Sequence, residues 1–199
     1  YNDNEAYGII SNASPNSGDL YFYADNNQIN SNGLNYTDAQ GYYRFYTGDR
    51  TLSIKNEAGT TLISKNVKLD PGKYFSAFAI NTYDKLELAV YDDQLEYPAL
   101  NRAKVRFINL SPDAPEITIK TSSVTFAEKL SFKENTSFID LENGTYNIQF
   151  INSATGNILY EADNVAFYGG RVYTIYTKGF VNPPSGSNDT FSSEKIRNL

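Results

Sequence analysis

Histidine, cysteine, methionine and tryptophan are all absent from this 199-residue chain. Without imidazole or thiol there is no Ser-His-Asp or Cys-His catalytic arrangement, no disulfide, and no zinc, iron–sulfur or haem site of the ordinary kinds. No metal and no cofactor is therefore expected, and no catalytic residue is assigned. Positive charge is also short: 17 Lys+Arg stand against 23 Asp+Glu, a formal net charge of −6. A phosphate backbone would have to be held against that field, so nucleic acid is not an expected partner. No apolar run approaches the ~18 residues of a membrane span, and no charged-then-apolar leader is present. The missing methionine includes the initiator, so the chain reads as a processed or trimmed product, and the missing cysteine fits a mature segment cut just after a lipidated one.

What is present is aromatic and turn-forming. Tyrosine occurs 17 times and phenylalanine 12 times, and Asn, Ser and Thr crowd the gaps between apolar residues, a mixture that favours strands and turns over helices. The turn residues recur. Asn12-Ala13-Ser14-Pro15 returns 97 positions on as Asn109-Leu110-Ser111-Pro112, each copy after a short apolar run. Gly48 before Leu52 and Ile54 returns at offset 96 as Gly144 before Ile148 and Phe150; Gly59 returns at offset 97 as Gly156. Gly72-Lys73-Tyr74-Phe75 returns at offset 98 as Gly170-Arg171-Val172-Tyr173. So small a drift is what loop insertions between homologous strands produce, and the chain reads as two copies of one unit.

Each copy reads as short strands of alternating polarity. Val105 and Phe107 alternate with Lys104 and Arg106, Ile117 and Ile119 with Thr118 and Lys120, and Tyr146, Ile148 and Phe150 with Asn147 and Gln149. Glu142-Asn143-Gly144-Thr145 predicts a hairpin joining 137–141 to 146–151, since Asn-Gly tolerates positive φ. Further strands are expected at 158–165, 172–178 and 194–198, and in the first copy at 51–55, 61–69, 73–80 and 86–91. Only 126–133 offers a helical turn. The expected architecture is all-β: two tandem antiparallel β-sandwich domains of about seven strands each, immunoglobulin-like or transthyretin-like, spanning 1–97 and 98–199.

The block Ala103-Lys-Val-Arg-Phe-Ile-Asn-Leu-Ser-Pro-Asp-Ala-Pro115, with Asn143-Gly-Thr-Tyr-Asn-Ile and Gly170-Arg-Val-Tyr-Thr-Ile-Tyr, resembles the domain of unknown function 4397 family. The resemblance covers both halves, although the first copy carries only Tyr7-Gly-Ile-Ile-Ser-Asn-Ala-Ser-Pro-Asn. It implies an exported bacterial protein, often a lipoprotein, facing the periplasm or the cell surface. Membrane contact is then expected only through a lipid anchor upstream of Tyr1, with Tyr1 to Glu5 as the end of the leash. The resemblance transfers no catalytic residue.

Two sets of residues are candidates for ligand binding. On 20–24 and 41–47, Tyr21, Tyr23, Tyr42 and Tyr46 point away from Leu20, Phe22, Tyr43 and Phe45, giving either an exposed tyrosine face or one packed against the other domain. The second set is the loop Asn109, Ser111 and Asp113, with the alternative that Asn-x-Ser-Pro is only a strand-end turn. Asp92, Asp93 and Glu96 are close in sequence but read as a solvated acidic turn rather than a hydrolytic pair. The function expected is a non-catalytic binding or spacer module whose partner is a surface polysaccharide or protein. The alternatives are an adhesin-like subunit assembling through sheet edges and, last, a carboxylate-based hydrolase. Oligomeric state is left open.

Overall fold

The computed structural model describes residues 4–199. The expected leash at Tyr1 to Glu5 falls largely on residues 1–3, outside the described residues. The chain divides into two compact units, Tyr1–Gln94 and Leu95–Leu199.

In the first unit the strands are β1 Glu5–Asn12, β2 Tyr21–Ala24, β3 Asn27–Gln28, β4 Ala39–Tyr46, β5 Gly48–Lys55, β6 Thr61–Leu69, β7 Tyr74–Ile80 and β8 Glu87–Asp92. In the second they are β9 Arg102–Asn109, β10 Ile117–Lys120, β11 Thr125–Leu130, β12 Ile139–Glu142, β13 Gly144–Asn152, β14 Ile158–Phe167, β15 Arg171–Lys178 and β16 Ser192–Arg197. The protein is all-β: a 3-10 turn at Tyr83–Lys85 is the only helical element among the described residues. Among the described residues each unit has eight strands, against about seven expected. In the first unit the strand not expected is the two-residue β3: Asp25 at φ +52 turns the chain back from β2 within two residues, too tight to be visible as a separate run.

Both units repeat one strand order. The first forms sheets β4-β1-β7-β8 and β3-β2-β5-β6, and the second forms β12-β9-β15-β16 and β11-β10-β13-β14. β1 runs parallel to β7, and β9 runs parallel to β15. An immunoglobulin sandwich would place its first, second, fifth and fourth strands in one sheet. These sheets do not, which leaves the transthyretin-like alternative.

Alternation decides what lies between the sheets. Leu20, Phe22, Leu52 and Ile54 from one sheet meet Ala6, Ile10, Phe45 and Phe75 from the other in the first core. The second core is built the same way from Ile117, Ile119, Ile148 and Phe150 against Ala103, Val105, Phe107 and Ile175. Gly8 is small because the Phe75 ring lies over it, only 2.3 Å from where a Cβ would be.

Two expectations are corrected. The segments flanking Asn143-Gly144 are not a hairpin: β12 pairs with β9, while β13 pairs with β10 and β14. Gly144, at φ +153, turns the chain from one sheet into the other after a single residue, and the Asn143 amide donates to the Asn101 carbonyl at 3.1 Å. Gly48, at φ +98, turns β4 into β5 in the same way. The helical turn expected in 126–133 is instead β11, an edge strand bulged at Lys129 (φ +53). Phe126 and Leu130, whose i,i+4 spacing looks helical, both face the core from it.

Candidate functional site

Asn109 and Ser111 are fully buried, so their polar groups are spent inside the fold. Asn109 Nδ2 donates to the Leu130 carbonyl at 3.0 Å, and its Oδ1 accepts from Thr177 Oγ1 at 2.9 Å. Ser111 Oγ donates to the Gly179 carbonyl at 2.7 Å. Asn12 and Ser14 repeat this: Asn12 Nδ2 donates to the Leu34 carbonyl at 3.0 Å, the Ser14 amide to Asn12 Oδ1 at 3.0 Å, and Ser14 Oγ to the Asn81 carbonyl at 2.6 Å. Gly179 and Asn81 both adopt positive φ, +74 and +68, just past β15 and β7. Asn-x-Ser-Pro thus locks the end of the first strand of each unit to the end of its parallel neighbour. Asn109 and Ser111, candidates for a ligand loop or a strand-end turn, have these polar groups bonded inside the fold, as the turn alternative expects. Asp113 is exposed, but its two oxygens accept the Val181 and Asn182 amides at 2.7 and 2.9 Å, which clamps that loop.

The four candidate tyrosines do not form one face. β2 and β4 belong to different sheets, so Tyr21 and Tyr23 sit on the outer side of one sheet, and Tyr42 and Tyr46 on the outer side of the other. Tyr23 is tied down locally: its hydroxyl donates to Gln28 Oε1 at 3.2 Å, and Lys55 Nζ lies 4.2 Å from the ring centre. Tyr42 donates to Asp93 Oδ2 at 2.7 Å and meets Tyr74 edge-on, and Tyr74 in turn stacks on Tyr7. Tyr46 is 72% exposed.

Tyr46 borders a cleft of about 360 Å³ between β4 and the β2–β3 turn, with Tyr43, Arg44, Arg50, Asp25 and Gln28 on its walls. Arg50 Nη1 donates to Asp25 Oδ2 at 2.7 Å, and the Thr51 amide donates to Asp25 Oδ1 at 3.0 Å. That amide first, and Arg50 after it, hold the Asp25 carboxyl below its ordinary pKa in spite of a desolvation penalty. Arg44 is mostly exposed, with Glu5 3.8 Å away. The cleft combines aromatic rings, two guanidinium groups, a carboxylate and an amide.

A second hollow lies wholly within the second unit. It occupies about 840 Å³ over the outer face of β10, β13 and β14, with Lys120, Asn147, Gln149, Glu161 and Asn164 on the sheet and Ser122 and Ser123 at its rim. The rim is a turn held by Thr121 Oγ1, which accepts the Ser123 and Val124 amides at 3.3 and 3.0 Å. Asn147 Oδ1 accepts the amide of Asn164, a bulge residue at φ +55. Tyr146 walls one end, its hydroxyl donating to the Glu142 carbonyl at 2.5 Å; burial first, and the Glu142 carboxylate second, raise its pKa.

The acidic residues near the end of the first unit go separate ways. Asp93 is buried and accepts from Tyr42 and Ser76 Oγ, Asp92 pairs with Lys73 at 2.9 Å, and Glu96 lies 3.9 Å from Lys104. Among the described residues no three His, Cys, Asp or Glu side chains are grouped to hold a metal ion, and no helix is long and apolar enough to cross a membrane.

The family model described as Domain of unknown function (DUF4397) matches residues 9–120, more than half of the chain. The chain belongs to the DUF4397 family. The matched stretch runs from β1 to β10 and so includes both Asn-x-Ser-Pro locks of this DUF4397 protein. Comparison with curated proteins gives no match. Among solved structures, it is similar to the fimbrial anchor protein Mfa2 from Porphyromonas gingivalis, at 12% identity and a TM-score of 0.25, over 98% of this chain and 97% of that one. It is also similar to a protein of Bacteroides uniformis described as a cell adhesion protein, at 10% identity and a TM-score of 0.27, over 97% and 98% of the two chains. Likenesses this distant decide neither the fold nor the function of the DUF4397 chain.

Of the residues that form the two hollows, the sequence reading singled out only Tyr46 as a site. Asp25 and Arg50 lie in different strands and turns, and only pairing of β2 with β5 joins them. Asn147 and Gln149 are visible in the sequence as the polar half of an alternating strand, a pattern that every solvated sheet face shares.

Proposed function

We propose that this chain is a non-catalytic, exported module, facing the periplasm or the cell surface, that binds a polysaccharide or a protein there. Export, and a lipid anchor upstream of Tyr1, are supported by the resemblance of the Ala103–Pro115 block to exported lipoproteins of the family. The proposal includes that the two units are duplicates of one ancestral domain, with a boundary near 97. The common strand order and the paired Asn-x-Ser-Pro locks support that.

The observation that carries the binding reading is the cleft of the first unit. Tyr46 and Tyr43 offer ring surface that loses little entropy on contact, and Arg44 and Arg50 offer forked donors, the residue types that concentrate at recognition surfaces. Asp25 fixes one guanidinium in advance of any ligand.

Edge-to-edge assembly is less favoured by the same sheets. The exposed edge β6 carries Lys65 and Lys68, and the edge β14 carries Glu161, Asp163 and the Asn164 bulge, devices that oppose addition of a further strand.

A binding screen on a glycan array and on cell-surface protein fractions tests the reading, run with the intact protein, with Arg44→Ala/Tyr46→Ser, and with Tyr21→Ser/Tyr23→Ser. Binding that drops at least tenfold in the Arg44/Tyr46 variant alone is the expected result. An intact protein that binds no glycan and no surface protein overturns the binding role.

A further inference from the structure

We infer that the hollow on the second unit is a binding groove for an uncharged polysaccharide chain. The inference rests on the reading of the protein as a binding module, but it uses residues separate from the cleft of the first unit.

The argument begins with register. Lys120, Gln149 and Glu161 lie side by side across β10, β13 and β14, as Tyr23, Ser53 and Ser64 do across β2, β5 and β6. In the first unit this row is closed upon itself: Ser53 and Ser64 hydroxyls bond at 2.9 Å, Tyr23 bonds Gln28, and in the next row Thr51 Oγ1 donates to Asn66 Oδ1 at 3.0 Å. In the second unit, among the described residues, the side chains of Lys120, Gln149 and Glu161 make no hydrogen bond or ion pair within the chain. Only Asn147 Oδ1 is used, by the Asn164 amide, and that bond holds the bulge at the groove wall while leaving Nδ2 open. The groove is thus built from fixed backbone and unspent side chains.

The chemistry of those side chains selects the ligand. Gln149 and Asn147 each offer a donor and an acceptor from one planar group, and Ser122 and Ser123 add hydroxyls that do both. A sugar ring presents vicinal hydroxyls that donate and accept in the same way. One cation, Lys120, is balanced by one anion, Glu161, so the groove has no net field to draw a phosphate-rich or polyanionic chain. Tyr146 adds ring surface at one end. Aliphatic side chains, which a peptide or acyl chain would need, are missing from the lining. A volume of about 840 Å³ falls within the range of small-molecule sites, roughly 300–1,000 Å³, enough for a few sugar rings.

The test is affinity electrophoresis of the full chain in native gels cast with soluble neutral glucan, mannan or galactan, and with an anionic polysaccharide as a control. The expected result is retardation of the intact protein in at least one neutral gel, lost in Gln149→Ala/Glu161→Ala and kept in Tyr21→Ser/Tyr23→Ser. Neither Gln149 nor Glu161 bonds within the fold, so thermal unfolding of that variant should match the parent, which separates lost binding from lost structure. Retardation kept in Gln149→Ala/Glu161→Ala, or confined to the anionic gel, overturns the groove while leaving the binding module standing. Failure of the intact protein in every neutral gel also overturns it; capture of a cell-surface protein in the screen above would then uphold the broader reading alone.

Discussion

Ser53 and Gln149 occupy the same register position in the two units, yet Ser53 is 7% exposed and bonded to its cross-strand neighbour, while Gln149 reaches out from its sheet with its amide unspent. A short hydroxyl opposite a short hydroxyl closes the face with a bond of 2.9 Å. The longer amide opposite Glu161, with Lys120 on the other side, makes no such bond. Two sheets of one strand order therefore carry a self-satisfied row in one case and an open row in the other. The backbone sets the rows, and the side chains placed in a row decide whether it saturates itself.

The comparison can be broken most forcefully at the locks, where the units are expected to behave alike. Asn12→Ala and Asn109→Ala each strand buried donors and acceptors, and each should cost about 2–3 kcal/mol, read from urea unfolding of the full chain. An effect at one position only would show that the motif does not do the same work in both units. Next in size is Gly8→Ala, which drives a methyl into the Phe75 ring and should cost about 1–3 kcal/mol. Unit 2 has Val105 in its core beside the same kind of strand, so Val105→Ala should destabilise by leaving space rather than by crowding.

At the outer faces the expected contrast is smaller and opposite in character. Ser53→Ala removes a half-buried bond and should cost about 1 kcal/mol, whereas Gln149→Ala should change stability by less than about 0.5 kcal/mol. Equal costs would mean that Gln149 is committed to the fold. The smallest effect is a pH dependence at Asp25. Its folded pKa lies below the unfolded value, so it adds stability above that unfolded value, and the gain fades as pH falls through the folded one. Acid unfolding of Asp25→Asn should lack that slope, with little change at neutral pH; the carboxylate is 40% exposed and screened by solvent, so the slope is slight.

Much of this architecture is legible in the chain. The runs expected at 61–69, 73–80, 158–165 and 172–178 are strands at closely the same places, and at 117–120 and 146–150 one buried face imposes the period of two that marks them. Asn143-Gly144 does not make the hairpin its residue types predict, because positive φ at a glycine permits a hairpin and a change of sheet equally. Which one occurs depends on whether β12 finds β13 or β9, and those partners are far apart in sequence. The bulged strand β11 looks helical in sequence for a related reason, since i,i+4 apolar spacing arises from a bulge as well as from a helix.

The sites were less legible. Tyr21, Tyr23, Tyr42 and Tyr46 all point away from the core, as their alternation implies, but alternation names a face without naming the sheet that owns it. The Asn-x-Ser-Pro repeats were visible at once, yet only the positive-φ carbonyls of Asn81 and Gly179, more than sixty residues away, show them to be locks. Residue types and their periods determined by themselves the all-β class, the repetition and the exclusion of histidine and cysteine chemistry, because each depends on composition or on neighbours within a few positions. Strand order, the parting of the tyrosines and the open row at Lys120, Gln149 and Glu161 were decided only by tertiary structure, because they depend on which distant strands pair and in what register.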